Sequence, residues 1–239
     1  MNTIKISKSN TKLIAHRGAS ALETENTVAA FLAAANRSYF GIETDVHRTK
    51  DGKYVVIHDD TTKRVSGIDF CVEDTDFETL RALTLYDTDC KTKRKDLFIP
   101  TLEEYIEICK KYEKTAVLEL KNLFKSDDIS KIVKIIEDLK YLENVIFISF
   151  YFENLKIVRS LKKNQKIQFL TSEFNHEILE QLTKYNCDLD IRYTSVTKDI
   201  VKRIHKNNLK INCWTCDKES KAKKLIKMDV DFITTNCLE

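Results

Sequence analysis

Proline and glycine are scarce in this chain, with one and four among 239 residues. That excludes collagen-like and Pro/Gly-rich low-complexity architectures. Turns must be made by Asn, Asp, Lys and Ser, so each glycine marks a place where the backbone demands one. No apolar run approaches the roughly 18 residues of a membrane-spanning helix. The first ten residues, Met1 to Asn10, contain no apolar stretch of the kind that directs secretion. A cytoplasmic location without stable membrane anchoring is the expectation. An excess of one charge is also missing: Lys+Arg is 40 and Asp+Glu is 37, for a net charge of +3. Both signs are interspersed, so no nucleic-acid partner is expected, and the lysine-rich helices read as solvated faces. The seven cysteines are an odd number without framework spacing. Cys213-Trp-Thr-Cys216 has redox spacing, but it ends a strand-like run instead of opening a helix. Reduced, mostly buried thiols are the expectation.

What is present is a core and an alternating pattern. Hydrophobic residues make up 42% of the chain, enough for one sizeable core. Short apolar runs at Lys12–His16, Gly41–Val46, Tyr54–His58, Thr115–Leu120, Val145–Ser149, Lys166–Thr171, Leu189–Arg192, Leu209–Trp214 and Asp231–Thr234 read as strands. Between most of them lie helical patterns at 26–37, from Thr101, and at 128–140, 152–162, 175–184, 197–207 and 217–228. Alternation of this kind implies parallel βα units. Nine candidates are one too many for an eight-stranded barrel, and the link at Thr49-Lys-Asp-Gly52 resolves the count. So short a turn cannot join parallel strands, so 54–58 runs antiparallel to 41–46 and returns His58 beside Asp45. The fold class expected is α/β, a TIM (β/α)8 barrel. A single domain spans 1–239, and the polar segment 59–97, following the His58-Asp59 arm, forms a small capping insertion. A doubly wound open sheet is the alternative, but no G-x-G-x-x-G follows the first strand.

Charge falls where strands should not carry it. Glu43 and Asp45 are two apart on one strand, hence on one face, where they repel. Glu119 repeats the situation at the end of Val117-Leu118-Glu119. Three carboxylates at strand ends make an oxygen-rich site suited to one divalent cation, Mg²⁺ or Ca²⁺. His16-Arg17-Gly18 ends the first strand, at the barrel face where chemistry sits. Gly18 permits the sharp turn, and Arg17 offers a planar fork for phosphate. His58 ends the hairpin arm with Asp59 beside it as an orienter. Two histidines flanking such a cluster suit acid/base catalysis at phosphorus. His47, His176 and His205 read as core or surface residues. Glu25-Asn26-Thr27 opens the first helix, as a cap or as support for the site. Lys121 adds positive charge next to Glu119, and Trp214, at the end of the seventh barrel strand, is either core or a pocket wall.

These residues resemble the glycerophosphodiester phosphodiesterase family. Leu13-Ile-Ala-His16-Arg17-Gly18 with Glu25-Asn26-Thr27 is similar to its opening signature. Ile42-Glu43-Thr44-Asp45-Val46 through Gly52, then Val55-Val-Ile-His58-Asp59, is similar to its second block. Ile99-Pro-Thr-Leu-Glu, Leu118-Glu119-Leu-Lys121, Trp214-Thr215 and Phe232-Ile-Thr-Thr-Asn236 follow in order. The resemblance implies a TIM barrel that hydrolyses glycerophosphodiesters to sn-glycerol 3-phosphate and an alcohol with a divalent cation. It implies Glu43, Asp45 and Glu119 as metal ligands and His16 and His58 as the acid/base pair. Arg17 and Lys121 would hold phosphate, Trp214 would line the glycerol side, and Glu25 and Asn26 are placed among the substrate-binding residues. The partner expected is a small-molecule diester, and the chain is expected to be a monomer or homodimer. Thr24 stands where the family has proline, which loosens that loop. Thr44 replaces an apolar residue and, facing away from the site, matters little. The end, Thr235-Asn-Cys-Leu-Glu239, lacks the family's usual proline and stops early, which puts the family's last helix in doubt. Two alternatives use the same residues. One is a phospholipase D-like hydrolase of lysophospholipids, which predicts an apolar rim on the insertion, although 59–97 has few large apolar residues. The other is a catalytically silent barrel for phosphate ligands, which retention of every catalytic candidate disfavours.

Overall fold

The computed structural model describes residues 2–239. Eight parallel strands close a barrel: β1 (Lys12–Ala15), β2 (Gly41–Arg48), β4 (Thr115–Leu120), β5 (Val145–Ser149), β6 (Lys166–Thr171), β7 (Asp188–Arg192), β8 (Ile211–Trp214) and β9 (Phe232–Thr235). Closure is made by β1, which pairs with β2 through Ile14 and Gly41 and with β9 through Ile14 and Thr234. The ninth strand, β3 (Tyr54–Val56), is antiparallel to β2, with Val46 opposite Val56 and Arg48 opposite Tyr54. Gly52, at φ +80°, makes the turn between them. The arm continues past β3, where the Ile57 amide donates to the Asp45 carbonyl at 3.1 Å. That contact delivers His58 to the rim beside Asp45.

Helices cover the barrel: α1 (Val28–Ala35), α4 (Leu102–Lys111), α5 (Ser126–Asp138), α6 (Phe152–Leu161), α7 (His176–Tyr185), α8 (Lys198–Lys206) and α9 (Glu219–Ile226). Their starts are set by local chemistry. Thr101 caps α4 in a capping box with Glu104, and the helix buries Leu102, Tyr105, Ile106 and Cys109. Thr27 caps α1 by accepting from the Ala30 amide. Helix α5 begins and ends two residues earlier than its apolar spacing suggests, because Ser126, Asp127 and Asp128 extend its first turn. Gly18, at φ +79°, lies where a Cβ would come within 2.6 Å of the Ala30 carbonyl carbon. Only glycine lets the loop after β1 pass so close to α1.

Two layers of core follow from the period-2 alternation. Ile14, Val117, Ile146, Ile148, Leu170 and Phe232 pack inside the barrel. A larger set, including Ile42, Val46, Leu118, Phe147 and Ile191, packs between strands and helices. The insertion carries α2 (Lys63–Ser66) and α3 (Phe77–Arg81). It has more apolar content than its composition suggests at first sight. Val65, Val72, Leu80, Leu83, Leu85 and Leu97 form a third buried cluster with Val55, Ile57 and Ile99 of the arm and its flank. These side chains point inward, so the insertion presents no apolar rim beyond Ile68, which is 42% exposed. Cys213 and Cys216 are buried, unpaired thiols. Burial pushes the Cys216 thiol up to about 11, which makes it a poor nucleophile. No helix among the described residues is long and apolar enough to cross a membrane.

Candidate active site

The carboxylates Glu43, Asp45 and Glu119 meet at the C-terminal rim of the barrel. The pairing of β2 with β4 places Asp45 opposite Glu119. Each is at most 6% exposed, and each offers an oxygen within 4.8 Å of the others. Asp45 Oδ1 and Glu119 Oε1 are buried without a hydrogen bond. Lys121 Nζ stands 3.4 Å from Asp45 Oδ1 and 3.3 Å from Glu119 Oε1, in ion-pair range but without hydrogen-bond geometry. Burial, then the Asp45 charge, pushes Glu43 well above the usual carboxylate range and raises Glu119 as well. Asp45 goes the other way: burial opposes its charge, but Arg17 and Lys121 outweigh that and hold it down. Three buried carboxylates of which two resist ionisation are a donor set that a hard divalent cation fits, since it would supply the missing positive charge.

Arg17 binds this cluster from the β1 side. Its backbone takes a left-handed φ of +56°, which turns its amide to donate to Glu43 Oε2 at 2.9 Å. Its guanidinium donates to Glu25 Oε1 at 2.9 Å and lies 3.5 Å from Asp45 Oδ2. His16 stands next to it, with Nε2 4.0 Å from Glu43 Oε2 and Nδ1 2.8 Å from Asn236 Oδ1. Burial, then the Arg17 charge, lowers His16 to about 4. Across the cleft, His58 Nδ1 is 2.7 Å from Asp59 Oδ1. His58 is also lowered, by burial first. Arg64 of the insertion joins the two sides. It donates to Asp59 Oδ2 at 2.6 Å and to Glu25 Oε1 at 2.8 Å, so Arg17, Glu25, Arg64, Asp59 and His58 form one chain of polar contacts.

The cleft between the histidines has a volume of about 110 Å³ and is lined by His16, Arg17, Glu43, His58, Glu119, Lys121 and Trp214, among others. A wider groove of about 600 Å³ on the outer wall, beside Tyr54, Phe77 and Ile135, contains none of them. Glu25 and Asn26, placed among the substrate-binding residues, are not among the residues that line the cleft. Asn26 is 4% exposed and donates to Asp45 Oδ2 at 2.9 Å. Thr44 proves more consequential than its outward-facing position suggests, because its hydroxyl donates to Asn26 Oδ1 at 2.7 Å and so fixes the amide that holds Asp45. Thr24 does not loosen its loop either: its hydroxyl donates to the Tyr86 carbonyl at 2.8 Å and pins the loop to the insertion. His47 is buried, whereas His176 pairs with Glu180 and His205 with Asp231 on the surface. Sequence reasoning missed Arg64, Asp217 and the part Asn236 plays. Asn236 lies in the last, weakest block, and neither Arg64 nor Asp217 stands in a motif.

The glycerophosphoryl diester phosphodiesterase family model matches residues 16–239, from the first histidine of the site onward. The chain belongs to that family. Its members are phosphoric diester hydrolases. Among relatives, a glycerophosphodiester phosphodiesterase from Caldanaerobacter subterraneus is 33% identical over 95% of this chain and 94% of its own length. A human lysophospholipase D is 29% identical over 77% of this chain and 51% of its own. Among solved structures, an Oleispira antarctica phosphodiesterase in complex with the product sn-glycerol-3-phosphate superposes with a TM-score of 0.88 at 26% identity, covering 94% of this chain and 92% of that one.

Proposed function

We propose that this chain hydrolyses glycerophosphodiesters to sn-glycerol 3-phosphate and an alcohol, by in-line attack at phosphorus with His16 and His58 as the acid/base pair. The observation that carries the reading is two half-buried imidazoles that line one cleft with Glu43 and Glu119, each with its Nδ1 against an acceptor. Asn236 Oδ1 and Asp59 Oδ1 are acceptors, so each imidazole carries its proton on Nδ1 and turns an unprotonated Nε2 inward. A neutral imidazole is the form that accepts a proton from an attacking hydroxyl or water. Once charged, it is the form that returns one to the leaving oxygen. Arg17 and Lys121, held on the carboxylates, present positive charge to the phosphate and to the charge that grows on it in the transition state.

A divalent cation, Mg²⁺ or Ca²⁺, held by Glu43, Asp45 and Glu119, would supply Lewis-acid polarisation of the phosphoryl oxygen. Trp214 lines the cleft and meets Phe150 edge-on at 5.4 Å between ring centroids. Release of glycerol 3-phosphate from glycerophosphocholine, followed with and without EDTA, tests the reading. It fails if no product forms at any metal concentration.

A second reading keeps the same chemistry on a lysophospholipid. Its support is not on the insertion but on the barrel loops, where Leu123, Phe150 and Tyr151 are 60%, 45% and 43% exposed. Phe150 and Tyr151 border the open side of the site next to His58. Comparing lysophosphatidylcholine with glycerophosphocholine as substrates separates the two readings.

A further inference from the structure

Below the rim, the barrel interior changes character. Where Ile14, Ile146 and Ile148 fill one side, Gln168, Asp190, Asn212 and Thr234 occupy the other, each no more than 3% exposed. Asn212 organises them. Its Nδ2 donates to Asp190 Oδ2 at 3.1 Å and to Gln168 Oε1 at 3.3 Å, and its Oδ1 accepts from Thr234 Oγ1 at 3.3 Å. The network does not close on itself. Asp190 Oδ1 and Gln168 Nε2 are buried and have no hydrogen-bond partner in the chain. Buried polar groups are nearly always partnered, so two orphans on adjacent strands call for an explanation.

Asp190 also lines the cleft, together with Leu170, Trp214 and Thr234. Trp214 is locked to it, since the indole Nε1 donates to the Asp190 backbone carbonyl at 3.3 Å. Neither the carboxylate triad nor the acid/base pair uses this group. A carboxyl with one free oxygen, walled by Leu170 and an indole, complements a hydroxyl, which both donates and accepts. We propose that Asp190, held by Asn212 and flanked by Gln168, is the specificity-determining residue for the glycerol moiety and takes its terminal hydroxyl. The inference rests on the diesterase reading above and names the group that selects glycerol within it. Burial, with the Glu119 charge as the lesser cause, pushes the Asp190 carboxyl well above the usual range. The protonated form can donate to the hydroxyl and does not repel a phosphate held above it.

The test compares kcat/KM of the metal-loaded enzyme on glycerophosphocholine with that on the analogue whose glycerol lacks the terminal hydroxyl. The wild type is expected to prefer the glycerol diester by roughly 10–100-fold, the cost of leaving a buried polar group unpaired. Asp190→Leu should bring the two substrates within about threefold, mainly by losing activity on the glycerol diester. Asp190→Asn should keep most of the preference, because its amide still donates and accepts. Equal rates on both substrates in the wild type would overturn the inference, even if Asp190→Leu does not fold. So would an Asp190→Leu enzyme that slows on both by one factor. In either case the parent diester is still hydrolysed, so the diesterase reading stands. If the wild type hydrolyses neither, that reading fails, and calorimetric binding of sn-glycerol 3-phosphate against its deoxy analogue decides the role of Asp190 by the same criterion.

Discussion

Asn236 and His16 are 220 residues apart in the chain and 2.8 Å apart in the fold. Asp217 accepts from both the Asn236 side chain, at 2.6 Å, and its backbone amide, at 2.7 Å. That turns the Asn236 carbonyl oxygen toward His16 Nδ1 and sets the tautomer. Replacing Asn236 by Ala should therefore lower kcat about 10–100-fold, in line with other orienting partners, with KM little changed. Steady-state kinetics on glycerophosphocholine checks this, and a rise in KM at constant kcat would place Asn236 in binding instead.

His16→Ala and His58→Ala should each lose about 10²–10⁴ in kcat, the usual contribution of a positioned acid or base. Neither imidazole belongs to the carboxylate triad, so cation affinity measured by calorimetry should persist in both variants. An active double variant would remove both residues from the mechanism.

Cation binding should be visible without turnover. Mg²⁺ or Ca²⁺ at about 100 times its Kd should raise stability by about 2.7 kcal/mol, and EDTA should reverse the gain. Glu43→Gln should abolish the shift in Tm, since the amide cannot ionise to meet a cation. An undiminished shift would locate the ion elsewhere.

Thr44→Val is nearly isosteric and faces away from the cleft, yet it removes the donor that fixes Asn26. A loss of about 1–3 kcal/mol in stability is expected from the unpaired buried amide oxygen, read as a lower denaturation midpoint. Weaker cation binding should accompany it, because Asn26 holds Asp45.

Asp188 provides a pH signature away from the site. Burial raises its carboxyl from 3.8 to about 6, against the Lys210 amide that donates to it at 2.8 Å. Between pH 3.8 and about 6 the folded chain holds a proton that the unfolded chain releases, so this group's contribution to stability falls as pH rises through that window. Above it the cost is complete. Asp188→Asn keeps the acceptor and should stabilise the protein by about 1–3 kcal/mol at pH 7.5, with the gain vanishing toward pH 4. Thermal melts across this range give the sign directly.

The sequence by itself determined the barrel and picked out the carboxylates and histidines that meet at its candidate site. Strand and helix periods are local, as is the short turn at Gly52 that forces β3 to return antiparallel. Two carboxylates on one strand face, a third at a strand end and two rim histidines could therefore be placed before any coordinates. Tertiary structure decided how those groups are held. Arg64 reaches Asp59 and Glu25 from an insertion with little periodic signal, Asp217 fixes Asn236, and Thr44 fixes Asn26. Each is a side-chain hydrogen bond between segments whose separation in the chain says nothing of their distance. The polar floor around Asp190 was hidden for a related reason: Gln168, Asp190 and Asn212 sit singly on three strands and become a cluster only when the barrel closes. Periodicity records which face a residue takes, and only closure decides which faces meet.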